Sequence, residues 1–114
     1  MNQKMKIIIN FILLSFILTS CHKKKTPIEI KLVLLNSENY FNQTISLKGT
    51  IKEVGPLDLW FILEDDSGYI QVSTKNLSKK LKCLKKGQKV FAFGQLEQYS
   101  IHKYFTLQQD LQCS

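Results

Sequence analysis

Three cysteines and a few aromatic and amide side chains are what this 114-residue chain offers for chemistry. Cys21 ends the stretch Leu18-Thr19-Ser20-Cys21, where small residues present one thiol directly behind an apolar run. A thiol so placed is set apart from the other two by its apolar lead-in. Cys83 and Cys113 are then left as an even pair, and in an oxidising compartment an even pair reads as a disulfide. Their bridge closes a loop of about 30 residues, worth roughly 3–4 kcal/mol on the chain-entropy account. The alternative is two unrelated thiols, one buried on a helix and one on a frayed terminus.

Other reactive residue types are present without the neighbours that catalysis needs. His22 sits beside Cys21, and His102 stands alone between predicted strands, with no cysteine or carboxylate at metal-ligand spacing. Asp65 and Asp66 are adjacent turn carboxylates, not a pair facing each other across a cleft. No P-loop, nucleophile elbow or dinucleotide glycine pattern occurs. A thiol catalyst at Cys83 needs a basic partner and no competing disulfide, and lysine neighbours alone are weak grounds for one. The expectation is a chain that is not an enzyme and that has no metal site and no cofactor.

Lys4 and Lys6, followed by Ile7 to Leu18 broken only by Asn10 and Ser15, complete the tripartite plan of an export signal. The run is short for a membrane span of about 20 residues. With Cys21 it resembles a bacterial lipobox. That resemblance implies a signal peptide over 1–20, a lipidated tether over 21–27, and a mature protein whose first residue is acylated Cys21. A transmembrane anchor or an ordinary cleaved signal is the competing reading, and Met5 is an alternative start. The implied location is the bacterial cell envelope: the outer membrane facing the periplasm, with the plasma membrane as the alternative.

Cleavage before Cys21 leaves 94 residues, enough for one small domain with one core. This mature part holds 14 lysines and no arginine against 9 acidic residues, a net charge of +5. Lys23, Lys24 and Lys25 follow the anchor directly, so from Thr26 onward the net is only +2. On an anionic headgroup surface each of those three adds about 1 kcal/mol. The absence of arginine speaks against tight nucleic-acid binding, because arginine forks phosphate and guanine bidentately whereas lysine is a point charge.

The elements that must position the remaining candidates can be read from periodicity. Ile28, Leu32 and Leu35, widened by Val33 and Leu34, predict a short helix ending at Asn36, and Asn36-Ser37-Glu38-Asn39 is turn chemistry. From Thr44 the period becomes two: Ile45, Leu47, Gly49 and Ile51 predict a first strand with a central glycine. Gly55-Pro56 breaks it. Leu57 or Leu59, then Phe61 and Leu63, form a second inward row, closed by Asp65-Asp66-Ser67-Gly68 as a hairpin turn. Ile70 and Val72 point inward from a third strand, Tyr69 to Ser73.

Leu77, Leu81 and Leu84 then share a helical face among Lys79, Lys80, Lys82, Lys85 and Lys86. Thr74 or Asn76 would cap this helix and Gly87 would stop it. Val90, Ala92, Gly94 and Leu96 give a fourth strand; Phe105 and Leu107 mark a fifth, running to Leu111. The order is that of an all-β OB-fold over residues 28–114. It is a five-stranded Greek-key barrel with one short helix interposed between strands three and four and another before strand one.

The hairpin from Trp60 to Val72 resembles that of the anticodon-binding OB domains in class II tRNA synthetases. Those domains read roughly aromatic-x-x-Leu-Arg-Asp-x-x-Gly-x-x-Gln-Val. Thr44 to Ile51 is similar to their first strand, and Leu35 to Gln43 to the lead-in of bacterial OB-fold proteins of the same broad group, many of them exported. The likeness covers residues 30 to 111. It implies a base-stacking role for Trp60 and a base-reading amide at Gln71. The family arginine is replaced by Glu64, however, and three successive carboxylates, Glu64-Asp65-Asp66, repel a phosphate track.

Two functional readings result. In the first, Trp60, Tyr69, Gln71, Phe91, Phe93 and Tyr104 form the ligand face of a monomeric binding module for an oligonucleotide, an oligosaccharide or a peptide. An exposed indole can stack a base for about 1–3 kcal/mol. The competing expectations are burial of Trp60 under the Gly55-Pro56 loop or the first helix, and packing of Phe91 and Phe93 beneath that helix. In the second reading Lys75, Lys79, Lys80, Lys82, Lys85, Lys86 and Lys89 form a helical patch. It docks on anionic lipid or on an acidic envelope partner, or is merely a solvated face. Membrane lipid is the expected partner at Cys21 in both.

Overall fold

Alternating apolar residues flanked by turn chemistry fold as the period predicts. The computed structural model describes residues 26–114; the expected export signal, Cys21 and Lys23 to Lys25 lie outside the described residues. Two short helices, α1 (Ile30–Leu35) and α2 (Ser37–Tyr40), precede β1 (Thr44–Val54), β2 (Trp60–Asp65), β3 (Gly68–Ser73), β4 (Lys89–Tyr99), β5 (His102–Leu107) and β6 (Gln112–Cys113). The first five strands pair in the order β1-β2-β3-β5-β4, and β4 returns to β1, which closes a barrel. The β3–β5 pairing is parallel and the others are antiparallel. This is the OB-fold connectivity.

The inward rows are fully sequestered: Leu47 and Ile51 from β1, Phe61 and Leu63 from β2, Val72 from β3, Val90 and Ala92 from β4, Phe105 and Leu107 from β5. A Cβ at Gly94 would sit 2.0 Å from the Thr106 carbonyl oxygen, so only glycine lets β4 lie that close on β5 as the barrel coils. Leu57 and Leu59 do not join the inward row of β2; they are 89% and 54% exposed, because Pro56–Asp58 forms a 3-10 turn and the strand starts only at Trp60. β5 stops at Leu107, and the chain then turns back so that Gln112 and Cys113 pair with Phe91 and Val90.

The interposed helix does not form. From Leu77 to Gly87 the chain runs in turns, although Leu77, Leu81 and Leu84 still pack against the core. On a helix Lys79, Lys82 and Lys86 would stack like charges three and four residues apart, which is unfavourable. The segment is instead fixed by tertiary ties. The Lys82 amide donates to the Asp110 carboxylate (3.0 Å), the Gly87 amide donates to the Ile51 carbonyl (2.7 Å), and Cys83 is disulfide-bonded to Cys113. Cys83 itself has φ of 63°, outside any helix.

The barrel end is sealed by α1, which buries Ile30 and Val33 completely. Its own N-cap, Glu29, makes no side-chain cap bond. The β2–β3 turn supplies the missing acceptors: the Ile30 amide donates to Asp65 Oδ2 and the Lys31 amide to Ser67 Oγ, each at 3.0 Å. Asp65 Oδ1 also accepts the Ser67 and Gly68 amides (2.8 and 3.0 Å) and the Ser67 hydroxyl.

Partial burial tends to raise the Asp65 pKa. The Ser67 hydroxyl and the amides of Ile30, Ser67 and Gly68 outweigh it, so the carboxyl lies below its ordinary value. A folded-state pKa depressed in this way contributes stability above the unfolded value, and the contribution is lost as pH falls through the folded one. Asp65→Ala is expected to cost about 1–2 kcal/mol at neutral pH, the size of a lost helix cap, and much less in acid, once the pH has fallen through the depressed value of this carboxyl. Urea unfolding at the two pH values measures the difference.

Candidate functional site

Strand parity turns one set of residues outward on β2, β3 and β5, and the register puts them in rows. Trp60 pairs with Ser73, Ser73 with Thr106 and Thr106 with Gln95, which makes one row across four strands. In the next row Ile62 pairs with Gln71. One step along the parallel β3–β5 register sets Tyr104 on the far side of Gln71, and Tyr104 pairs with Glu97. A third row carries Glu64 and Tyr69. Trp60, Tyr69, Gln71 and Tyr104 therefore share one outer face. Gln71 is exposed and Tyr69 is 63% exposed.

Trp60 is neither free nor interior. A Cβ at Gly55 would fall 2.3 Å from the indole Cε2, so one side of the ring rests on bare glycine backbone. The Gly55 amide also donates to the Trp60 carbonyl (2.8 Å). This platform fixes the ring before any ligand arrives, which lowers the ordering cost of binding. Above it stands the β1–β2 loop, where Leu57 and Asp58 hold φ of 55° and 56°. Left-handed backbone at a leucine is strained, and such strain clusters at ligand clamps. Thr74 pins the loop: its amide donates to the Leu59 carbonyl (3.1 Å) and its hydroxyl to the Asp58 carbonyl (2.7 Å). Between this loop and residues 74–81 lies a cleft of about 320 Å³, reached by Lys75, Lys79 and Lys80.

The electrostatics of the face are compensated. Lys52 forms an ion pair with Glu64 (3.2 Å) and lies over the Tyr69 ring (5.7 Å). Lys75 forms an ion pair with Glu97 (2.9 Å), donates to the Tyr104 hydroxyl (3.1 Å) and lies over the Tyr104 ring (5.1 Å). Thr106, buried beneath, donates its hydroxyl to Glu97. That hydroxyl, then the Lys75 ammonium, holds the Glu97 carboxyl below its usual range against the opposing effect of burial. The Glu97 carboxylate, then the Tyr104 hydroxyl, raises the Lys75 pKa. The two lysines that touch aromatic rings of this face thus already have carboxylate partners.

Of the six aromatic and amide residues expected to form one surface, two lie elsewhere. Phe91 and Phe93 also point outward, but from the opposite flank of β4, where they pair with Lys48 and Ser46 of β1. They are half-buried beside the segment Thr26–Pro27 and the C-terminal tail and not beneath α1, because α1 is held at the β2–β3 turn. The lysines expected on a helix are exposed but distributed along an irregular segment, and Lys75 belongs to the aromatic face. Sequence reasoning missed the Glu97 partner of Lys75, with Thr106 bonded to that carboxylate, and the Gly55 platform. The alternation along β4 and β5 carries a signal for the first. Nothing local signals the second. Among the described residues no group of three or more His, Cys, Asp or Glu side chains could hold a metal ion.

No protein family model and no curated protein matches the chain. Among solved structures it is similar to the structure of the hypothetical protein ygiW from E. coli, with a TM-score of 0.60 and 14% sequence identity over 78% of this chain and 90% of that one. At that identity the likeness establishes a shared fold, in keeping with the OB-fold barrel described above, and nothing more.

Proposed function

We propose that this chain is a lipid-anchored envelope protein whose barrel is a non-catalytic binding module for an oligosaccharide. The observation that carries the ligand class is the compensated face. Trp60, Tyr69 and Tyr104 offer flat apolar surfaces, Gln71 offers an amide, and Lys52 and Lys75 are already matched by Glu64 and Glu97. A polyanion held by such a surface would have to break those pairs, and counterion release, the main source of nucleic-acid affinity, would be small. A neutral polyhydroxylated chain needs ring faces and hydrogen-bonding groups, and both are present. Acylation of Cys21 would hold the module at the membrane, with Lys23 to Lys25 near the headgroups.

Titration of Trp60 fluorescence with soluble cell-wall glycan fragments should give a saturable change, and single-stranded oligonucleotides of equal length should give none at 0.15 M salt. Trp60→Ala, followed by titration calorimetry because Trp60 is the sole tryptophan, is expected to weaken glycan binding at least about 30-fold, the effect of losing a central aromatic anchor of about 2 kcal/mol. Gln71→Ala, at an exposed position with no packing role, should weaken binding without changing stability. Tight oligonucleotide binding with silence toward glycans would replace this reading with nucleic-acid recognition.

A further inference from the structure

Phe91 and Phe93 form the floor of a groove of about 970 Å³ that the sugar-binding face does not use. One wall is the lead-in segment Thr26–Pro27, fastened where the Ile28 amide donates to the Ser46 carbonyl (3.0 Å). The other wall is the C-terminal tail with Leu111, Gln112 and Cys113, held by the pairing of Gln112 with Phe91, by the Gln108 amide on the Phe93 carbonyl (3.0 Å) and by the disulfide. Half-exposed phenylalanines in a walled groove of this size are the lining of an apolar ligand site. The wall at Thr26–Pro27 is also where the chain arrives from Cys21, five residues earlier.

We infer that this groove shelters the acyl chain carried by the protein's own Cys21. This rests on the lipid-anchor reading above. The tether permits it: five residues span at most about 17 Å, so the lipid cannot leave the neighbourhood of the groove mouth, and its local concentration there is in the millimolar range. The groove also matches the cargo, since its floor is two aromatic rings and the buried Leu111 contributes to a wall. Lys48, which lies over the Phe91 ring at 5.3 Å, marks the polar margin. A sheltered state lets a lipidated chain cross an aqueous space, and release of the acyl chain to a bilayer fixes it there. The barrel thereby keeps two separate apolar sites, one for the ligand and one for its anchor.

The test uses the full chain, expressed and processed in a bacterial host, with photoreactive p-benzoylphenylalanine in place of Phe93. After detergent removal and illumination, mass spectrometry of the digest should find the peptide containing residue 93 joined to the lipid on the N-terminal peptide. The same probe in place of Tyr69 should give no such product. An intact mass showing lipid on Cys21, with no crosslink from position 93 or with crosslinks only to free lipid, overturns the inference and leaves the anchor intact. An intact mass showing no lipid overturns both. As a second measurement, Phe91→Asp combined with Phe93→Asp should raise partition of the lipidated protein into phosphatidylethanolamine–phosphatidylglycerol vesicles at least tenfold. Partition unchanged in a double variant that still melts cooperatively counts against sheltering.

Discussion

Removing the Cys83–Cys113 bridge is expected to lower the unfolding free energy by about 3–4 kcal/mol and the melting temperature by roughly 12–30 °C, in Cys83→Ser combined with Cys113→Ser or in the reduced wild type. The bridge spans 30 residues, with a Cα–Cα separation of 5.7 Å, and it joins the two parts of the molecule with the least regular structure. On one side the chain from Leu77 to Gly87 has no helix to hold it. On the other, β6 consists of Gln112 and Cys113 alone, supported by its pairing with β4 and by the Ser114 amide on the Lys89 carbonyl (3.0 Å). Calorimetry of the variant and of wild type with and without a dithiol reductant measures the cost. Equal melting temperatures in all three would mean that the protein carries free thiols.

A local consequence separates this bridge from a generic crosslink. Hydrogen exchange in the variant should accelerate most at residues 109–114 and 81–88, and Phe61, Leu63 and Val72 in the barrel interior should keep their order of protection. The tail forms one wall of the Phe91–Phe93 groove, so loss of the bridge also exposes that floor.

The strands were legible because a barrel buries one face of each: Ile45, Leu47 and Ile51, then Ile70 and Val72, alternate with mostly polar residues, and Phe61 and Leu63 keep the same period of two inside the apolar run Trp60 to Leu63. The same parity placed Trp60 and Gln71 on the outer wall of one face. Leu77, Leu81 and Leu84 misled for a physical reason. Spacing of four and three satisfies a helix, but it equally serves an irregular chain pinned at Thr74, Cys83 and Gly87, and the lysine density penalises the helical option. The role of α1 was not legible, since its cap comes from Asp65, 35 residues away in sequence. Phe91 and Phe93 were misassigned because what lies beside them, Pro27 and Leu111, comes from opposite ends of the domain.

Ile30→Ala should cost about 2–5 kcal/mol, as large as a deletion in the middle of the barrel, although the residue lies on a helix of only six residues. A helix so short has almost no stability of its own. It persists because Ile30 and Val33, both with no exposed surface, close one end of the barrel, and because the β2–β3 turn supplies the acceptors that cap it. In an OB-fold that duty can fall to a helix between strands three and four, and this chain forms none there. The two ideas differ in cooperativity. If α1 is the seal, Ile30→Ala lowers a single transition that far-UV and near-UV probes report together. If α1 is an appendage, the variant loses only a few residues of helix and the barrel melts where it did before. Leu35→Ala, at a position 70% exposed on the same helix, should change stability by no more than about 0.5 kcal/mol and supplies the control. A cooperative loss would mean that the segment leading into the barrel is part of the core, so that tension applied to the chain ahead of Ile28 acts directly on barrel stability.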